Sequence, residues 1–172
     1  AVLAQLEQAV ALLKQSMSPA LVLPAGAQIG YAIRGARDKG GVASVEGRLY
    51  GPAGVMKTGG PCSFGTDEEI ARVILTILKF DPRRRSAALL RFTDRALDVL
   101  DGDLFLECVS YDTSKTQTGI STMDWGIASC CNKEVPDVIY PENSGKTDAT
   151  LILLGENAID VANNIIICSN RI

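Results

Sequence analysis

Two short runs in this chain contain residue types that could hold a phosphate. Arg83-Arg84-Arg85 directly precedes a predicted strand, where guanidinium forks could each grip a phosphate through two hydrogen bonds. For Arg83 and Arg84 the pattern favours the alternative, a solvated basic turn. Gly145-Lys146 is similar to the end of a phosphate-holding loop, but the first glycine of a P-loop is missing. On spacing alone, this second run indicates a turn.

An aromatic residue and several carboxylates are further candidates for a ligand site. Trp125 could stack on a flat ring such as a pyrimidine, or could equally pack on the core from a helix start. Asp137, at a predicted strand start, is of the type that lines ligand crevices in α/β sheets, or it could cap a turn. The acidic run at residues 67–69 opens a predicted helix. A phosphate at that helix start would need magnesium as an intermediary.

Composition excludes several classes of function. Histidine is absent, which removes imidazole bases, Ser-His-Asp triads and histidine metal ligands. The net charge of −3 provides no basic face for DNA or RNA. The five cysteines are odd in number and lack C-x-x-C spacing, so we expect buried free thiols rather than disulfides or a zinc site. With no visible signal peptide and no apolar run near the roughly 20 residues of a bilayer span, we expect a cytoplasmic protein without a membrane segment.

The periodicity of apolar residues predicts which elements position these candidates. Thr66 and Glu69 form a T-x-x-E capping box that would start a helix. Strands alternating with helices predict an α/β fold, a single layered domain with a mixed sheet flanked by helices. In chain order the predicted elements are helix 2–16, strands 29–33 and 42–49, a helix from residue 66, strand 86–92, helix 94–100, strand 104–109, helix 123–131, strands 137–140 and 150–154, and helix 156–167.

The first predicted helix has a narrow apolar seam in which Leu3, Leu6, Val10, Leu13 and Met17 recur at spacings of three and four. The seam could be an ordinary core face, or it could be a linker or dimer helix. We therefore divide the chain into a first helix at residues 1–20 and a ligand-binding domain at residues 21–172.

Seven segments, taken in order, resemble the ThiN family of archaeal thiamine-phosphate synthases. No single segment is specific, but their order along the chain is. They are Ile29-Gly30-Tyr31-Ala32-Ile33, Val45-Glu46-Gly47-Arg48, Phe64-Gly65 with Ile70-Ala71-Arg72-Val73, Phe80-Asp81-Pro82 with Arg85-Ser86-Ala87, Ser121-Thr122 with Trp125-Gly126, Val135-Pro136-Asp137-Val138-Ile139-Tyr140, and Gly145-Lys146. Such domains occur fused to a pyrimidine kinase domain or behind a helix-turn-helix.

The resemblance implies a reaction in which hydroxymethylpyrimidine diphosphate is joined to a thiazole phosphate with release of pyrophosphate. That chemistry needs the charge of the leaving diphosphate to be neutralised, normally by magnesium and arginine. The family arginine that follows a glycine corresponds to Arg48, whereas the position of the family histidine is occupied by Glu69. A glutamate at that position repels a diphosphate, and Glu69 has a structural role available in the capping box.

This departure favours a regulatory member of the family. We expect the effector domain of a transcriptional regulator of thiamine metabolism, binding thiamine phosphate or a related compound without a cofactor. DNA would be bound only by a separate upstream domain, and the first helix would support a homodimer. The alternatives are an active thiamine-phosphate synthase, which would use Mg²⁺, and a protein-interaction module. The residues expected to hold a phosphate and a flat ring are Gln28, Tyr31, Arg48, Arg85, Ser121, Thr122, Trp125, Asp137, Gly145 and Lys146.

Overall fold

The computed structural model describes residues 1–16, 26–50, 56–93, 106–112, 122–141 and 148–171. Within these ranges the chain forms four α-helices and nine strands. In chain order the elements are α1 (Val2–Ser16), β1 (Gln28–Ala32), a 3-10 turn (Lys39–Gly41), β2 (Val42–Val45), β3 (Leu49–Tyr50), β4 (Lys57–Thr58), β5 (Cys62–Phe64), α2 (Glu68–Leu78), β6 (Ser86–Thr93), β7 (Cys108–Tyr111), α3 (Thr122–Cys130), β8 (Val138–Pro141), β9 (Asp148–Gly155) and α4 (Ala158–Arg171).

The described strands form one large sheet and a small ribbon. The sheet has the order β5-β2-β1-β6-β9-β8-β7, and β3 pairs with β4 in the ribbon. Pairing is antiparallel along the sheet except between β7 and β8, which run parallel. Helices cover both faces, so the predicted α/β domain with a mixed, layered sheet is confirmed.

The helices α1 and α4 pack side by side on one face of the sheet. Leu6 and Leu13 of α1 are fully buried together with Ala162 of α4, and the side-chain oxygen of Gln5 accepts a hydrogen bond of 3.0 Å from the Ala158 amide. The inner part of the α1 seam is therefore covered within this chain, as expected of a core face. Homodimerisation through this helix remains a prediction, and so does the boundary at residue 20.

On the opposite face α2 lies across β1 and packs beside α3. Ile70, Ile74 and Ile77 of α2 are buried in this layer with Ile127 of α3. Gly30 allows the close approach, because a Cβ there would lie 2.8 Å from Ile70 Cγ1 and 2.9 Å from Ile74 Cδ1. This face carries the start of α2, where the family histidine position falls.

Several predicted boundaries need correction. The N-cap of α2 is Asp67 rather than Thr66, since the Asp67 carboxylate accepts from the amides of Glu69 and Ile70. The strand predicted at 42–49 breaks after Val45, where a turn with left-handed backbone angles interrupts the extended chain. The strand predicted at 104–109 is shifted, because β7 begins at Cys108. The helix predicted at 94–100 lies outside the described residues.

Candidate functional site

A tight turn between β2 and β3 carries Arg48. Gly47 and Arg48 both adopt positive φ angles, of 69° and 67°, and Arg48 is the non-glycine residue with such an angle in the described part of the chain. A left-handed arginine costs about 1 kcal/mol, so surrounding structure must hold it. That structure is the β3–β4 ribbon: a Cβ at Gly59 would lie 2.7 Å from Gly47 Cα, and the Gly59 amide donates to the Arg48 carbonyl at 3.0 Å.

The turn brings the Arg48 guanidinium to the start of α2. Its Nε lies 3.2 Å from Asp67 Oδ2, and its Nη2 lies 3.5 Å from Glu69 Oε1. The Arg48 side chain is 23% exposed, so these ion pairs are partly withdrawn from water while one side of the guanidinium stays accessible. The arrangement places a fixed positive charge, and free arginine donors, next to a helix N-terminus.

Gln28 makes hydrogen bonds that hold Asp67 and the end of β2 in place beside Arg48. Its buried amide donates from Nε2 to the Val45 carbonyl and to Asp67 Oδ2, both at 2.9 Å, and its Oε1 accepts from the amides of Ile29 and Val45 at 3.0 Å. With these bonds made, the Gln28 amide is occupied by protein partners. Its position indicates that Gln28 fixes Asp67 and the end of β2, rather than facing a ligand.

Asp67 connects the helix, the glutamine and the arginine. Burial acts to raise the pKa of this carboxyl. The hydrogen bond from Gln28, the amide of Ile70, the charge of Arg48 and the amide of Glu69 outweigh burial, and they hold the pKa below its ordinary value of 3.8. Sequence reasoning missed this role, although aspartate is as good an N-cap residue as threonine and directly follows Thr66.

We expect the charge of Asp67 to stabilise the fold in a pH-dependent way. Because its folded pKa is depressed, this contribution is present above the ordinary value of 3.8 and is lost as the pH falls through the lower folded value. Asp67→Asn keeps a helix cap but removes the titration, so its stability should fall less steeply in acid than that of the wild type. Urea unfolding between neutral pH and pH 2.5 measures this slope. Equal slopes in both proteins would show that Asp67 does not contribute.

Glu69 does not complete a capping box, so that prediction is wrong. With Asp67 as the N-cap, Glu69 occupies the second helical position, and its side chain points to Arg48 instead of the cap amide. Its Oε1 atom is buried and has no hydrogen-bond partner among the described residues. The residue at the family histidine position is therefore a carboxylate whose buried oxygen makes a 3.5 Å ion pair, but no hydrogen bond, with the family arginine.

Trp125 lies on the α2 face of the sheet, beside the end of β7, with four strands between β7 and the β2 strand that precedes Arg48. The α2 residue Arg72 pairs with Asp124, and the neighbouring Trp125 donates from Nε1 to the Asp112 carbonyl at 3.3 Å. The Trp125 ring is half-buried against the α2–α3 layer. Thr122 begins α3, where only the backbone is described, and Ser121, Gly145 and Lys146 lie outside the described residues.

Tyr31 and Arg85 lie at the other end of β1 from Arg48. Tyr31 is three residues from Gln28 on β1 and therefore faces the opposite side of the sheet, toward α1 and α4. Arg85 precedes Ser86, which pairs with Tyr31 at the end of β1 remote from Gln28. The structure does not bring these two residues together with Arg48. A single pocket containing all the predicted ligand residues is not formed by the described part of the chain.

Asp137 also lies at the strand ends remote from Arg48, and its contacts there are structural. Its Oδ1 is 3.5 Å from Arg84 Nη1, and its Oδ2 accepts from the Glu107 amide at 3.0 Å. Arg84 additionally donates to the Val135 carbonyl at 3.2 Å. The two residues therefore tie the loop before β8 to the start of β6, and Asp137 serves the turn alternative.

None of the five cysteines forms a disulfide, as predicted. Cys130, Cys131 and Cys168 are buried, whereas Cys62 and Cys108 are half-buried. Burial raises the pKa of Cys62 to about 12 and the pKa values of Cys130 and Cys131 to about 11. These thiols are protonated at neutral pH and are poor nucleophiles. Within the described ranges, no helix is long and apolar enough to cross a bilayer.

The described part of the chain is thus a mixed α/β sheet with an arginine fixed at a helix start. The model of the family described as thiamine-phosphate synthase ThiN matches residues 5–167. The chain therefore belongs to the ThiN family, as its motifs indicated.

Relatives and solved structures agree with this assignment. The bifunctional thiamine biosynthesis protein ThiDN of Methanocaldococcus jannaschii is 29% identical over 167 residues, which cover 95% of this chain and 39% of that protein. Thiamine-phosphate synthase ThiN of Methanothermobacter thermautotrophicus is 26% identical over 106 residues, which cover 58% of this chain and 55% of that protein. The chain thus spans between two fifths and just over half of the length of these relatives.

Two crystal structures share the fold over nearly the whole chain. The C-terminal domain of protein MJ0236 superposes with a TM-score of 0.86 at 29% identity, covering 98% of this chain and 93% of that one. The C-terminal domain of a phosphomethylpyrimidine kinase superposes with a TM-score of 0.85 at 25% identity, covering 97% of both chains.

These comparisons correct the functional expectation. The curated relatives are named as thiamine biosynthesis and thiamine-phosphate synthase proteins, and none of the matches described above points to a helix-turn-helix regulator. The interpretation as the effector domain of a transcriptional regulator is therefore wrong. It gave too much weight to the repulsion expected from Glu69, whose carboxylate lies against the Arg48 guanidinium.

Proposed function

We propose that this domain is a thiamine-phosphate synthase, which joins hydroxymethylpyrimidine diphosphate to a thiazole phosphate. Membership of the family supports the proposal, and so do the names of the relatives. The observation that carries it is the Gly47-Arg48 turn, which holds a partly exposed guanidinium at the start of α2 against a backbone cost.

The proposed reaction requires a leaving group to be stabilised more than it requires a base. The bond between the pyrimidine methylene carbon and the diphosphate oxygen breaks, and its electron pair leaves with pyrophosphate. The thiazole nitrogen supplies the pair for the new carbon–nitrogen bond, so no proton has to be removed from either substrate. This suits a chain without histidine. Arg48 would neutralise charge that grows on the departing diphosphate.

Glu69 fits a role as a magnesium ligand. Mg²⁺ in phosphate-transferring sites is usually held by one or two carboxylates together with substrate phosphates. The described residues contain no group of three or more acidic or cysteine side chains placed around one point, but one carboxylate is sufficient here. Asp67 is fully engaged by hydrogen bonds, whereas Glu69 Oε1 makes only the 3.5 Å ion pair with Arg48. Bound at Glu69, Mg²⁺ would supply positive charge to the diphosphate oxygens.

Incubation of the protein with both phosphorylated precursors and magnesium tests the proposal. We expect thiamine phosphate and pyrophosphate to appear in equal amounts, and chelation of magnesium to stop their release. Glu69→Gln should raise the magnesium concentration needed for half-maximal rate, because a neutral amide is a weaker ligand for a hard cation. A folded protein that forms neither product at any magnesium concentration would overturn the proposal.

A further inference from the structure

We infer that a second phosphate-binding site lies at the opposite ends of the central strands from Arg48. An open cavity of about 350 Å³ is found there, and its lining includes Arg34, Arg83, Arg85, Gln5, Tyr31 and Glu156. It lies beyond the far end of β1, and Tyr31 faces the α1–α4 side of the sheet, opposite to α2. The proposed synthase function makes no use of this cavity.

Arg85 is a donor of the cavity that two contacts hold in place. Its guanidinium carbon lies 4.9 Å from the centre of the Tyr31 ring, and its Nε donates to the Ala32 carbonyl at 3.1 Å. Both terminal nitrogens lack a hydrogen bond or ion pair among the described residues. The guanidinium is therefore fixed in plane while its fork stays unused, which is the arrangement that binds two phosphate oxygens at once.

The remaining charges leave the cavity positive. Arg34 is exposed and has no ion pair in the described part of the chain, whereas Arg83 is bound through two nitrogens to Asp81 at 3.1 Å. Glu156 is the carboxylate that lines the cavity. Counting Arg34, Arg85, the neutralised Arg83 and Glu156, one positive charge remains unbalanced. Glu156 should therefore weaken the binding of an anion that Arg34 and Arg85 attract.

The chemistry of the lining selects a phosphate group on a small molecule. The cavity has the volume of a small-ligand site, and arginine forks match the spacing of phosphate oxygens. Tyr31 is 7% exposed and is covered by Arg85, so it offers no face on which a ligand ring could stack. The ligand would be recognised through its phosphate, and pyrophosphate or inorganic phosphate would serve as a minimal probe.

Calorimetric titration with pyrophosphate in EDTA, at constant ionic strength, tests this site. The measurement uses Arg48→Gly, which removes the arginine of the proposed synthase site. In this background we expect one pyrophosphate to bind per chain. Adding Arg34→Gln should weaken binding about tenfold, as loss of a charged hydrogen bond does. Adding Glu156→Gln should strengthen binding several-fold, because an opposing charge is removed.

Arg34→Gln and Glu156→Gln both change exposed residues, and they should shift the affinity for pyrophosphate in opposite directions. Loss of folding could not produce both results. Arg85→Gln should also weaken binding, and its thermal unfolding must be compared because the stacking on Tyr31 is lost with it. Absence of pyrophosphate binding in Arg48→Gly would overturn the inference. An affinity that does not change with Arg34→Gln and Glu156→Gln would overturn it too, because binding would then lie elsewhere.

Discussion

Replacing Arg48 with glycine should lower kcat/KM for thiamine phosphate formation by about 10²- to 10³-fold, the usual effect of removing one donor that stabilises a leaving anion. Glycine is the informative substitution because the residue has a φ of 67°, which glycine adopts without strain. Relief of that strain offsets only part of the loss of the ion pairs with Asp67 and Glu69, so the free energy of unfolding should fall by about 1–3 kcal/mol. Steady-state kinetics and urea unfolding of the same preparation measure both quantities.

Two further variants separate the charge of Arg48 from its shape. Arg48→Lys retains the positive charge but loses the planar fork, so its rate should lie between those of the wild type and Arg48→Gly. Arg37→Gly is the matched control. Arg37 is exposed in the loop that follows β1, at the strand ends remote from Arg48. This variant should leave the rate unchanged. If Arg48→Gly retained wild-type kcat/KM, the arginine would have no part in the reaction.

Gln28→Leu should lower the free energy of unfolding by about 3 kcal/mol, because it leaves buried backbone amides unpaired at a cost of about 1–3 kcal/mol each. The amides of Ile29 and Val45 both depend on Gln28 Oε1. Leucine has a similar volume, so little of the loss would come from a cavity. Urea unfolding at neutral pH gives the difference directly.

A matched substitution on the other face of the sheet provides the control. Gln5 is half-buried and accepts one hydrogen bond, from the Ala158 amide at 3.0 Å. Gln5→Leu should therefore cost about 1 kcal/mol. We also expect Gln28→Leu, but not Gln5→Leu, to reduce the synthase rate, because Asp67 loses its glutamine partner beside Arg48. Equal losses of stability in the two variants would contradict the role assigned to Gln28.

The fold could be predicted from the sequence because apolar periodicity is a local signal. The seam of α1 and the apolar face of α2 each report burial without knowledge of the partner. The cap of α2 was assigned one residue early, since Thr66 and Asp67 are both able to cap a helix. Which of them does so depends on Gln28, which is 39 residues distant from Asp67 and invisible to local reasoning.

The site was predicted only in part, because linear order does not tell which end of a strand a residue reaches. The family motif singled out Arg48 and Glu69, but only the structure shows that the two side chains lie 3.5 Å apart at the start of α2. Tyr31 and Gln28 belong to one motif-rich strand, and a spacing of three residues already implies opposite faces. The alternation of side chains along β1 would have been enough to place Gln28 and Tyr31 in two different sites. The position of Arg85 required the pairing of β6 with β1.

The contact between α1 and α4 sets a condition on how this domain folds. The hydrogen bond between Gln5 and Ala158 spans 153 positions, and the apolar seam of α1 is fully covered only when the sheet and α4 are both in place. Such a high contact order predicts folding on a millisecond-to-second scale rather than in microseconds. During synthesis the first helix must wait for nearly the whole chain to emerge, with its leucines exposed to aggregation or to a chaperone.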